Sequence, residues 1–299
     1  MSLDGYHRRE YRQGGFVYLL DDEEKTAWIK QGHIKRCRRY RLPDHVMIDG
    51  VRYTIESVEF YAFNTPRTLR RLVVSNSYTY VAGDVFCFCP HLRSVHIGKG
   101  VEYLDSENFH NCPELRVYHI DKDNPHLMKK DGMIFSKDGK ELLVGIVDQA
   151  HVVIPEGVEV VNNLAFYYHK NLETIQFPTT LRKIGDNSFA GCPKLRRVVL
   201  PEGLEECVVQ SFIENDNLEY IDFPSTVFNI SWHMAPFADC PNLRTVILRM
   251  PDIPDQFDSY DFDGVNTEEC KLYVPANLVE GYQQHPVWGM FKNILPIEK

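Results

Sequence analysis

Six basic side chains in the first half of the sequence lie at positions of a regular spacing and have the chemistry to bind anions. They are Arg70, Arg71, Arg93, His96, Arg116 and His119. Guanidinium groups bind carboxylate, sulfate and phosphate groups through paired hydrogen bonds. If the spacing stacks these residues, the pattern predicts a binding surface for an acidic protein or an anionic glycan. The alternative is that they only keep an exposed sheet soluble and discourage edge pairing.

A run of carboxylates near the C-terminus carries oxygen ligands of the type that calcium prefers. Its members are Asp252, Asp255, Asp258, Asp261 and Asp263. The run lacks the regular twelve-residue ligand order and the closing glutamate of a calcium loop. We therefore expect a solvated loop here and no metal site.

No pattern indicates an active site, although the sequence contains 12 histidines and 42 carboxylates. The patterns H-E-x-x-H, G-x-S-x-G, the P-loop and G-x-G-x-x-G are all missing. The sequence therefore predicts a protein that is not an enzyme, with no catalytic residue and no cofactor. A glycan-active enzyme with a close pair of carboxylates in a cleft is a distant alternative.

The spacing of the basic residues belongs to a repeat that runs through most of the chain. Phenylalanines recur at one constant step, apart from a long step after Phe109 and a slightly lengthened one after Phe212, and a leucine follows each by six positions. A constant period of this length with an L-x-x-L-x-L-like signature is typical of a leucine-rich-repeat solenoid. The pairs are Phe63 and Leu69, Phe86 and Leu92, Phe109 and Leu115, Phe166 and Leu172, Phe189 and Leu195, Phe212 and Leu218, and Phe237 and Leu243.

One coil of this length is too small to bury a core of its own, so its apolar side chains are covered only when the next coil stacks on them. We therefore predict a β-rich (α+β) solenoid, a single elongated right-handed superhelix of about seven 23-residue coils, capped at both ends. In each coil the leucine and the residues three and five positions later should point inward. The residues between them should line an exposed sheet whose strands lie about 4.8 Å apart.

Charges along this exposed sheet are expected to alternate in one part and to accumulate in another. Arg196 would lie between Glu173 and Glu219, which relieves repulsion between like charges. The arginines at 70, 93 and 116 would be consecutive, with no acidic neighbour to relieve them.

The cysteines fit the repeat better than they fit a disulfide framework. Four of them precede a repeat leucine by three residues, a position taken by histidine or asparagine in two other coils. We expect small, weakly polar side chains packed inside the coils as free thiols. The alternative is a disulfide between Cys89 and Cys112, which belong to adjacent coils. No C-x-x-C pair indicates zinc. The residues at this position are Cys89, Cys112, His169, Cys192, Asn215 and Cys240.

Departures from the period divide the chain into six segments. Asp-Gly turns at 49–50, 131–132 and 138–139 predict hairpins in the N-terminal cap and the island. The basic run 35–41 is interpreted as a solvated strand of that cap, with an anion-binding patch as the alternative. Two added residues before Phe237 predict a bulged corner at 231–234, and a short helix is expected within 276–291.

The six segments of the chain are a tail or expression remnant (1–15), the N-terminal cap (16–56), leucine-rich coils (57–117), a β-hairpin island (118–152), further coils (153–270) and a C-terminal cap (271–299).

The formal net charge of −9 is unevenly distributed, with +4 in residues 1–75 and −13 in the remainder. Nucleic-acid-binding domains are normally basic overall or along one face, so the acidic bulk argues against that partner. The sequence has no apolar run of the roughly 18 residues that a membrane span needs.

Four stretches of the sequence resemble the BspA-like leucine-rich-repeat family, which is best known from bacterial surface proteins. Departures from the family pattern are Cys207-Val208 in place of Ile184-Gly185, and Ser75 and Gly98 at two proline positions. Membership implies secretion or surface display and binding of host or matrix proteins, but fold alone supplies no ligand. The stretches are Ile154-Pro155-Glu156-Gly157-Val158, Ile184-Gly185-Asp186-Asn187-Ser188-Phe189-Ala190-Gly191-Cys192, Asp131-Gly132-Met133-Ile134-Phe135-Ser136-Lys137-Asp138-Gly139-Lys140 and Leu272-Tyr273-Val274-Pro275.

The resemblance and the composition together lead to one expectation about function. We expect a non-enzymatic, adhesin-like protein, extracellular or displayed at the cell surface, although these residues include no signal peptide. It would contact a host or matrix protein through its exposed solenoid face, with an anionic glycan as the second choice of partner. The alternatives are an intracellular, cytoplasmic scaffold of the same fold and a glycan-binding protein, and the oligomeric state is left open.

Overall fold

The computed structural model of the protein describes residues 8–34, 36–63, 66–104, 106–109, 111–145, 149–227, 229–231, 238–254 and 259–298. These residues form a β-rich leucine-rich-repeat solenoid, which confirms the predicted fold class. It has about nine turns rather than about seven, because strands in the predicted caps and island also join the sheets. The described residues fall into two compact units that divide between Lys137 and Asp138.

The first unit consists of a sheet at the N-terminus, a parallel ladder and a hairpin. The N-terminal sheet has the strand order β1-β2-β3-β6-β5, with β8 added on β6, and the ladder has the order β10-β9-β7-β4. Strands β11 and β12 pair antiparallel across the Asp131-Gly132 turn. The strands are β1 (Arg9–Gln13), β2 (Phe16–Asp21), β3 (Thr26–Gly32), β4 (Arg39–Arg41), β5 (His45–Ile48), β6 (Val51–Val58), β7 (Arg71–Val73), β8 (Tyr80–Val81), β9 (Ser94–Ile97), β10 (Val117–Ile120), β11 (Leu127–Lys130) and β12 (Met133–Ser136), with a 3-10 turn at Ser106–Phe109.

Two features of the N-terminal sheet bear on the predictions from sequence. The hairpin at Asp49-Gly50 is confirmed, since β5 and β6 pair antiparallel around it. Strand β1 pairs antiparallel with β2, so residues 9–13 belong to the sheet although their sequence was interpreted as a tail. The polar composition of β1 concealed the strand, because it lies at the edge of the sheet with its side chains mostly exposed.

The second unit is built from parallel strands. One sheet of this unit runs β13-β15-β17-β19-β21, another runs β18-β20-β22-β23-β24, and β14 pairs with β16. The strands are β13 (Glu141–Val144), β14 (His151–Val153), β15 (Val160–Val161), β16 (Thr174–Gln176), β17 (Lys183–Ile184), β18 (Arg197–Val199), β19 (Glu206–Val208), β20 (Tyr220–Phe223), β21 (Asn229–Ser231), β22 (Thr245–Leu248), β23 (Lys271–Val274) and β24 (Asn293–Pro296). The one α-helix among the described residues is α1 (Val279–Gln284), and 3-10 turns lie at Val209–Phe212, Ser259–Phe262, Ala276–Leu278 and Trp288–Met290.

The repeat phenylalanines form continuous stacks inside each unit. In the first unit the ring of Phe86 stacks on Phe63 and Phe109, with centroid distances of 5.5 and 6.3 Å. In the second unit Phe189 lies between Phe166 and Phe212, at 5.1 and 5.5 Å. These rings and their partner leucines are buried, which confirms the ladder for every pair in the described part of the chain. Phe237 and residues 232–234 of the predicted corner lie outside that part.

The polar position before each repeat leucine has a defined role inside the coil. In four of the coils the side chain at this position donates a hydrogen bond to the carbonyl of the phenylalanine in the preceding coil. Cys112, Cys192 and Cys240 make this bond through Sγ at 3.3 Å to Phe86, Phe166 and Phe212, and Asn215 makes it through Nδ2 at 3.0 Å to Phe189. The interpretation of these cysteines as buried repeat positions is confirmed. Burial raises the pKa of Cys192 to about 12, so its thiol stays protonated and available as a donor.

Hydrogen bonds between neighbouring coils recur on the second unit at equivalent repeat positions. Glu156 accepts bonds from the main-chain N–H and the hydroxyl of Thr179, at 3.1 and 3.0 Å. Two coils later, Glu202 accepts the equivalent bonds from Ser225, at 3.4 and 3.1 Å. Glutamate and a hydroxyl residue therefore alternate at this repeat position, and these bonds join the coils in pairs.

The C-terminal segment closes the second unit with aromatic side chains, as predicted. Trp288 packs between Phe262 and Tyr282, with ring centroids 5.1 and 5.6 Å away, and its indole N–H donates to the carbonyl of Pro254 at 2.8 Å. Helix α1 provides the predicted short helix. Strands β23 and β24 nevertheless continue the parallel sheet beyond β22.

Candidate binding surface

The parallel ladder of the first unit stacks the predicted basic residues in rows. Pairing places Arg71 beside Ser94, and His96 between Val73 and His119. The rings of His96 and His119 have centroids 6.5 Å apart. Because side chains alternate between the two faces of a strand, these residues all lie on the side away from the buried Leu72, Val95 and Tyr118.

The three arginines that follow the repeat leucines form the row next to the strands. The main-chain N–H of Arg93 donates to the carbonyl of Arg70 at 2.9 Å, and that of Arg116 donates to Arg93 at 3.1 Å. The side chains of Arg70, Arg93 and Arg116 are exposed. The structure therefore brings the six predicted residues together on one face.

Strand β4 adds a further basic rung that was not assigned to this face from sequence. It pairs in parallel with β7, which places Arg39 beside Arg71 and Arg41 beside Val73. The carbonyl of Arg38 accepts the main-chain N–H of Arg70 at 2.9 Å, so Arg38 begins the row of arginines. Within the basic run, Arg39–Arg41 is thus a strand, as interpreted, but it belongs to the ladder and not to the N-terminal sheet, and residue 35 lies outside the described residues. We call the whole set the basic ladder face: Arg38, Arg39, Arg41, Arg70, Arg71, Arg93, His96, Arg116 and His119.

A signal for β4 was present in the sequence. Tyr40 and Leu42 have the alternating inward positions that Leu72 and Val74 have in β7, and Leu42 is followed by Pro43 just as other repeat strands are followed by proline. The strand lacks the preceding phenylalanine of the repeat, and its distance from β7 along the chain does not match the repeat period. The phenylalanine repeat therefore predicts no place for this strand in the ladder, although the strand itself was expected.

One arginine of the face is neutralised, which corrects the expectation that Arg93 has no acidic neighbour. The guanidinium Nε of Arg93 lies 2.7 Å from one carboxylate oxygen of Glu114, and Nδ1 of His91 lies 2.9 Å from the other. These contacts, first that of His91 and then that of Arg93, lower the pKa of Glu114 to about 2. Arg116 directs its guanidinium to the carbonyls of Pro113 and Leu115, at 2.8 and 3.0 Å.

The remaining arginines of the face have no carboxylate within ion-pair distance among the described residues. These are Arg38, Arg39, Arg41, Arg70 and Arg71, and all five are exposed. Like charges in adjacent rungs, about 4.8 Å apart, repel by roughly 1 kcal/mol per pair in water. A ligand with negative charges would remove this repulsion on binding.

Several charged residues on the corresponding sheet of the second unit form ion pairs. Arg196 lies 3.5 Å from Glu219, as the alternation predicted, while Glu173 is closest to Lys194 at 3.9 Å. Asp222 was expected to be an exposed residue of the sheet, but it is only 6% exposed. Arg249 covers it with two hydrogen bonds of 2.8 Å.

The carboxylate run near the C-terminus is only partly within the described residues, since Asp255 and Asp258 lie outside them. Asp261 is buried in the 3-10 turn before Phe262, whereas Asp252 and Asp263 are exposed. In the part of the chain that the structure describes, no three histidine, cysteine or carboxylate side chains are grouped so that they could hold a metal ion. None of the helices within those same residues is long and apolar enough to cross a membrane.

Solved structures with the same fold come from several bacteria. A leucine-rich-repeat protein from Eubacterium ventriosum has a TM-score of 0.57 at 14% identity, over 88% of this chain and 82% of its own. One from Bacteroides ovatus has a TM-score of 0.54 at 18% identity, over 96% of this chain and 67% of its own. The pneumococcal vaccine antigen PcpA has a TM-score of 0.51 at 14% identity, over 98% of this chain and 100% of its own. At these identities the likeness shows the fold.

Comparison at the level of sequence identifies the family. No curated protein matches the chain in a direct sequence search. The family model described as the BspA type leucine rich repeat region matches six copies, over residues 50–130 and 145–268. These ranges include more than half of the chain and both sides of the hairpin β11–β12. The chain belongs to the BspA-type leucine-rich-repeat family.

Proposed function

We propose that this protein is a non-enzymatic binding protein that uses the basic ladder face of its first unit to bind an acidic surface of another protein. The observation that carries the proposal is the group of five exposed arginines on β4, β7 and their preceding residues, which have no acidic partner among the described residues. On the sheet of the second unit, Glu173, Arg196 and Asp222 each have a partner of opposite charge. The five arginines of the first unit lie on neighbouring rungs without such partners among the described residues.

The same face is unsuited to chemistry on a substrate. Its side chains are exposed arginines and two histidines, His96 being half-buried, and among the described residues neither histidine is bonded to a carboxylate or a thiol. The rungs are held by main-chain hydrogen bonds of the ladder, so the backbone positions that carry the charges are fixed. A fixed charged surface gives specificity and a high association rate with a complementary surface.

The location that suits this function is outside the cell. One similar structure is by its name a vaccine antigen, and an antigen of that kind must be accessible to antibodies. We propose export or surface display for this chain as well. Mass spectrometry of the mature N-terminus in protein purified from its native source tests this part: cleavage by a signal peptidase is expected, and an unprocessed chain with reduced cysteines would place the protein in the cytoplasm.

Titration with poly-L-glutamate tests the binding function in a form that does not require the natural partner. We expect saturable binding that weakens with salt. In R39E/R71E we expect at least a tenfold loss of affinity, because two positive charges become negative and each charge contact in water contributes about 1 kcal/mol. The matched control is R196E/R244E on the second unit, which changes net charge equally and should bind like the unaltered protein. Equal losses in both variants would mean that net charge alone, and not this face, determines binding.

A further inference from the structure

The basic ladder of the first unit ends at strand β4, and one edge of that strand has unpaired main-chain groups. In the described residues β7 is the only strand that pairs with β4. The bonds to β7 use the carbonyl of Arg38, at 2.9 and 3.0 Å to the N–H groups of Arg70 and Arg71, and the N–H of Leu42, at 2.9 Å to Val73. Alternate residues of a strand direct their main-chain groups to opposite sides. The N–H and C=O of Arg39 and Arg41 therefore point away from β7.

These outward main-chain groups have no hydrogen-bond partner in the described part of the chain. An exposed strand edge of this kind is a template for pairing with another chain, and proteins usually block it with a bulge, a proline or a charge. Here Pro43 lies beyond the strand and is two residues past Arg41, where it does not remove either N–H. On the strand itself, the charged side chains of its arginines are the only feature that hinders pairing with another chain.

The side chains of β4 determine which strand could join this edge. Arg39 and Arg41 are exposed on one face of the strand, and Tyr40 between them is half-buried on the other. Arg38 before the strand, and Arg70 and Arg71 on the neighbouring rung, add further positive charge. A strand with carboxylates at every second position would place each one beside a guanidinium group, whereas a basic or neutral strand would meet uncompensated charge.

We propose that an extended acidic segment of a partner protein adds to β4 as a fifth parallel strand of the ladder, a mode of recognition in which main-chain bonds give affinity and alternate side chains give specificity. The inference rests on the proposed binding function and deepens it by naming the form of the ligand. Glutamate or aspartate at alternating positions contacts Arg39 and Arg41, and an apolar residue between them packs beside Tyr40. The ligand is a peptide and not a glycan, because a glycan has no regular series of N–H and C=O groups to pair with the edge.

Three synthetic heptapeptides test the mode of binding. The first alternates glutamate and valine, with glutamates at both ends. In a parallel fifth strand the valine residues supply the N–H and C=O groups that face β4, by the same pattern in which Arg38 and Leu42 face β7. The second peptide is therefore N-methylated at the valines, and the third, as a matched control, is N-methylated at two internal glutamates, whose N–H groups point away from the edge.

Calorimetric titration of the full chain should show binding of the first and third peptides and at least a tenfold loss of affinity for the second. The variant R39E/R41E should lose binding of all three, with its fold checked by circular dichroism. As a measurement that needs no variant, amide hydrogen exchange at Arg39 and Arg41 should slow when the first peptide binds.

Every other outcome contradicts the inference, and the outcomes distinguish failure of strand addition from failure of the proposed binding function. Equal binding of all three peptides, weakened by R39E/R41E, would leave the proposed function standing and overturn strand addition. Binding of heparin with no binding of any peptide would identify the face as a glycan site. No binding of the peptides, heparin or poly-L-glutamate would overturn both proposals and leave the arginines of β4 as protection against edge pairing.

Discussion

Tyr168 reaches across a whole coil to Glu214. Its hydroxyl donates a hydrogen bond to the carboxylate of Glu214, 46 residues later in the chain, and its ring passes over Gly191 in the coil between them. The hydrogen bond to Glu214, followed by partial burial, raises the pKa of Tyr168 well above its ordinary value. Three successive coils are therefore connected on their surface by one side chain, and the absence of a side chain at residue 191 makes the connection possible.

Replacing Gly191 should disturb this connection in a measurable way. Gly191 has φ of +65°, and a Cβ atom there would lie 2.9 Å from the ring of Tyr168. In G191A we expect a loss of about 1–2 kcal/mol from the left-handed backbone alone, with a further loss from displacement of the ring. Urea unfolding of G191A, Y168A and the double variant separates the two parts, because only the second disappears without the ring. The same cost of G191A in both backgrounds would show that the ring contact is immaterial.

The polar position inside the coils should differ in cost between asparagine and cysteine. Asn215 is fully buried, accepts the N–H of Cys192 at 2.8 Å, and donates to the carbonyls of Phe189 and Phe212 at 3.0 and 2.7 Å. Each buried group left without a partner costs about 1–3 kcal/mol. We expect N215A to lower the free energy of unfolding by at least about 3 kcal/mol.

The matched variant C192A removes a single weak S–H donor and should cost about 1 kcal/mol. Chemical denaturation measures both losses. N215C, which installs the residue used by other coils, should recover part of the loss seen in N215A. Identical losses in N215A and C192A would mean that side-chain volume, and not hydrogen bonding, is what this position provides.

The stacked phenylalanines should contribute unequally along the chain. Phe189 is fully buried between two parallel rings, so F189A should cost about 3–5 kcal/mol. Among the described residues Phe63 is stacked on one ring, that of Phe86, and meets Phe16 edge to face, so F63A should cost less. Thermal and denaturant unfolding of the two variants give the comparison. Equal shifts would contradict a core in which each coil is stabilised by the coils on both of its sides.

Glu114 gives a prediction about pH dependence. Its pKa is lowered from 4.5 to about 2 by His91 and Arg93. A carboxyl group whose pKa is lower in the folded protein adds stability above its unfolded pKa, and this stability is lost as pH falls through the folded pKa. We therefore expect the stability difference between the protein and E114Q to be constant above about pH 5 and to disappear toward pH 2. A carboxyl NMR titration should show the pKa rising toward 4.5 in H91A and in R93A, and an unchanged value in both would contradict the assignment.

The sequence was sufficient for the parts of the fold that depend on local periodicity. Phe189 and Leu195 are six residues apart within one coil, and both are buried because the next coil repeats the pattern, so spacing alone identified the core. Pairing between distant rungs was harder to predict. Strand β4 precedes the regular repeat, and its place beside Arg71 follows from closing the first turn of the solenoid, a step that no spacing in the sequence encodes.

The contacts that long side chains make with residues of other coils could not be predicted from the sequence either. Asp222 occupies an outward position, and its burial depends on Arg249, 27 residues later, folding back over it. Arg93 finds its partner in Glu114, in the loop before the next rung. Both contacts depend on rotamers and loop paths, whereas the positions of the backbone rows depend only on the period. The rows were therefore predicted correctly, whereas their charge balance was predicted correctly at Arg196 and wrongly at Arg93 and Asp222.

The bonds from Thr179 to Glu156 and from Ser225 to Glu202 also imply that these coils come in pairs. Residues 156, 179, 202 and 225 occupy the same repeat position and alternate between a glutamate and a hydroxyl residue, so the smallest unit that reproduces these contacts is two coils long. Adding or removing two coils keeps the alternation, whereas adding or removing one would place two glutamates or two hydroxyl residues side by side. Duplication of such a pair can therefore enlarge the surface of a protein of this kind without the invention of a new core.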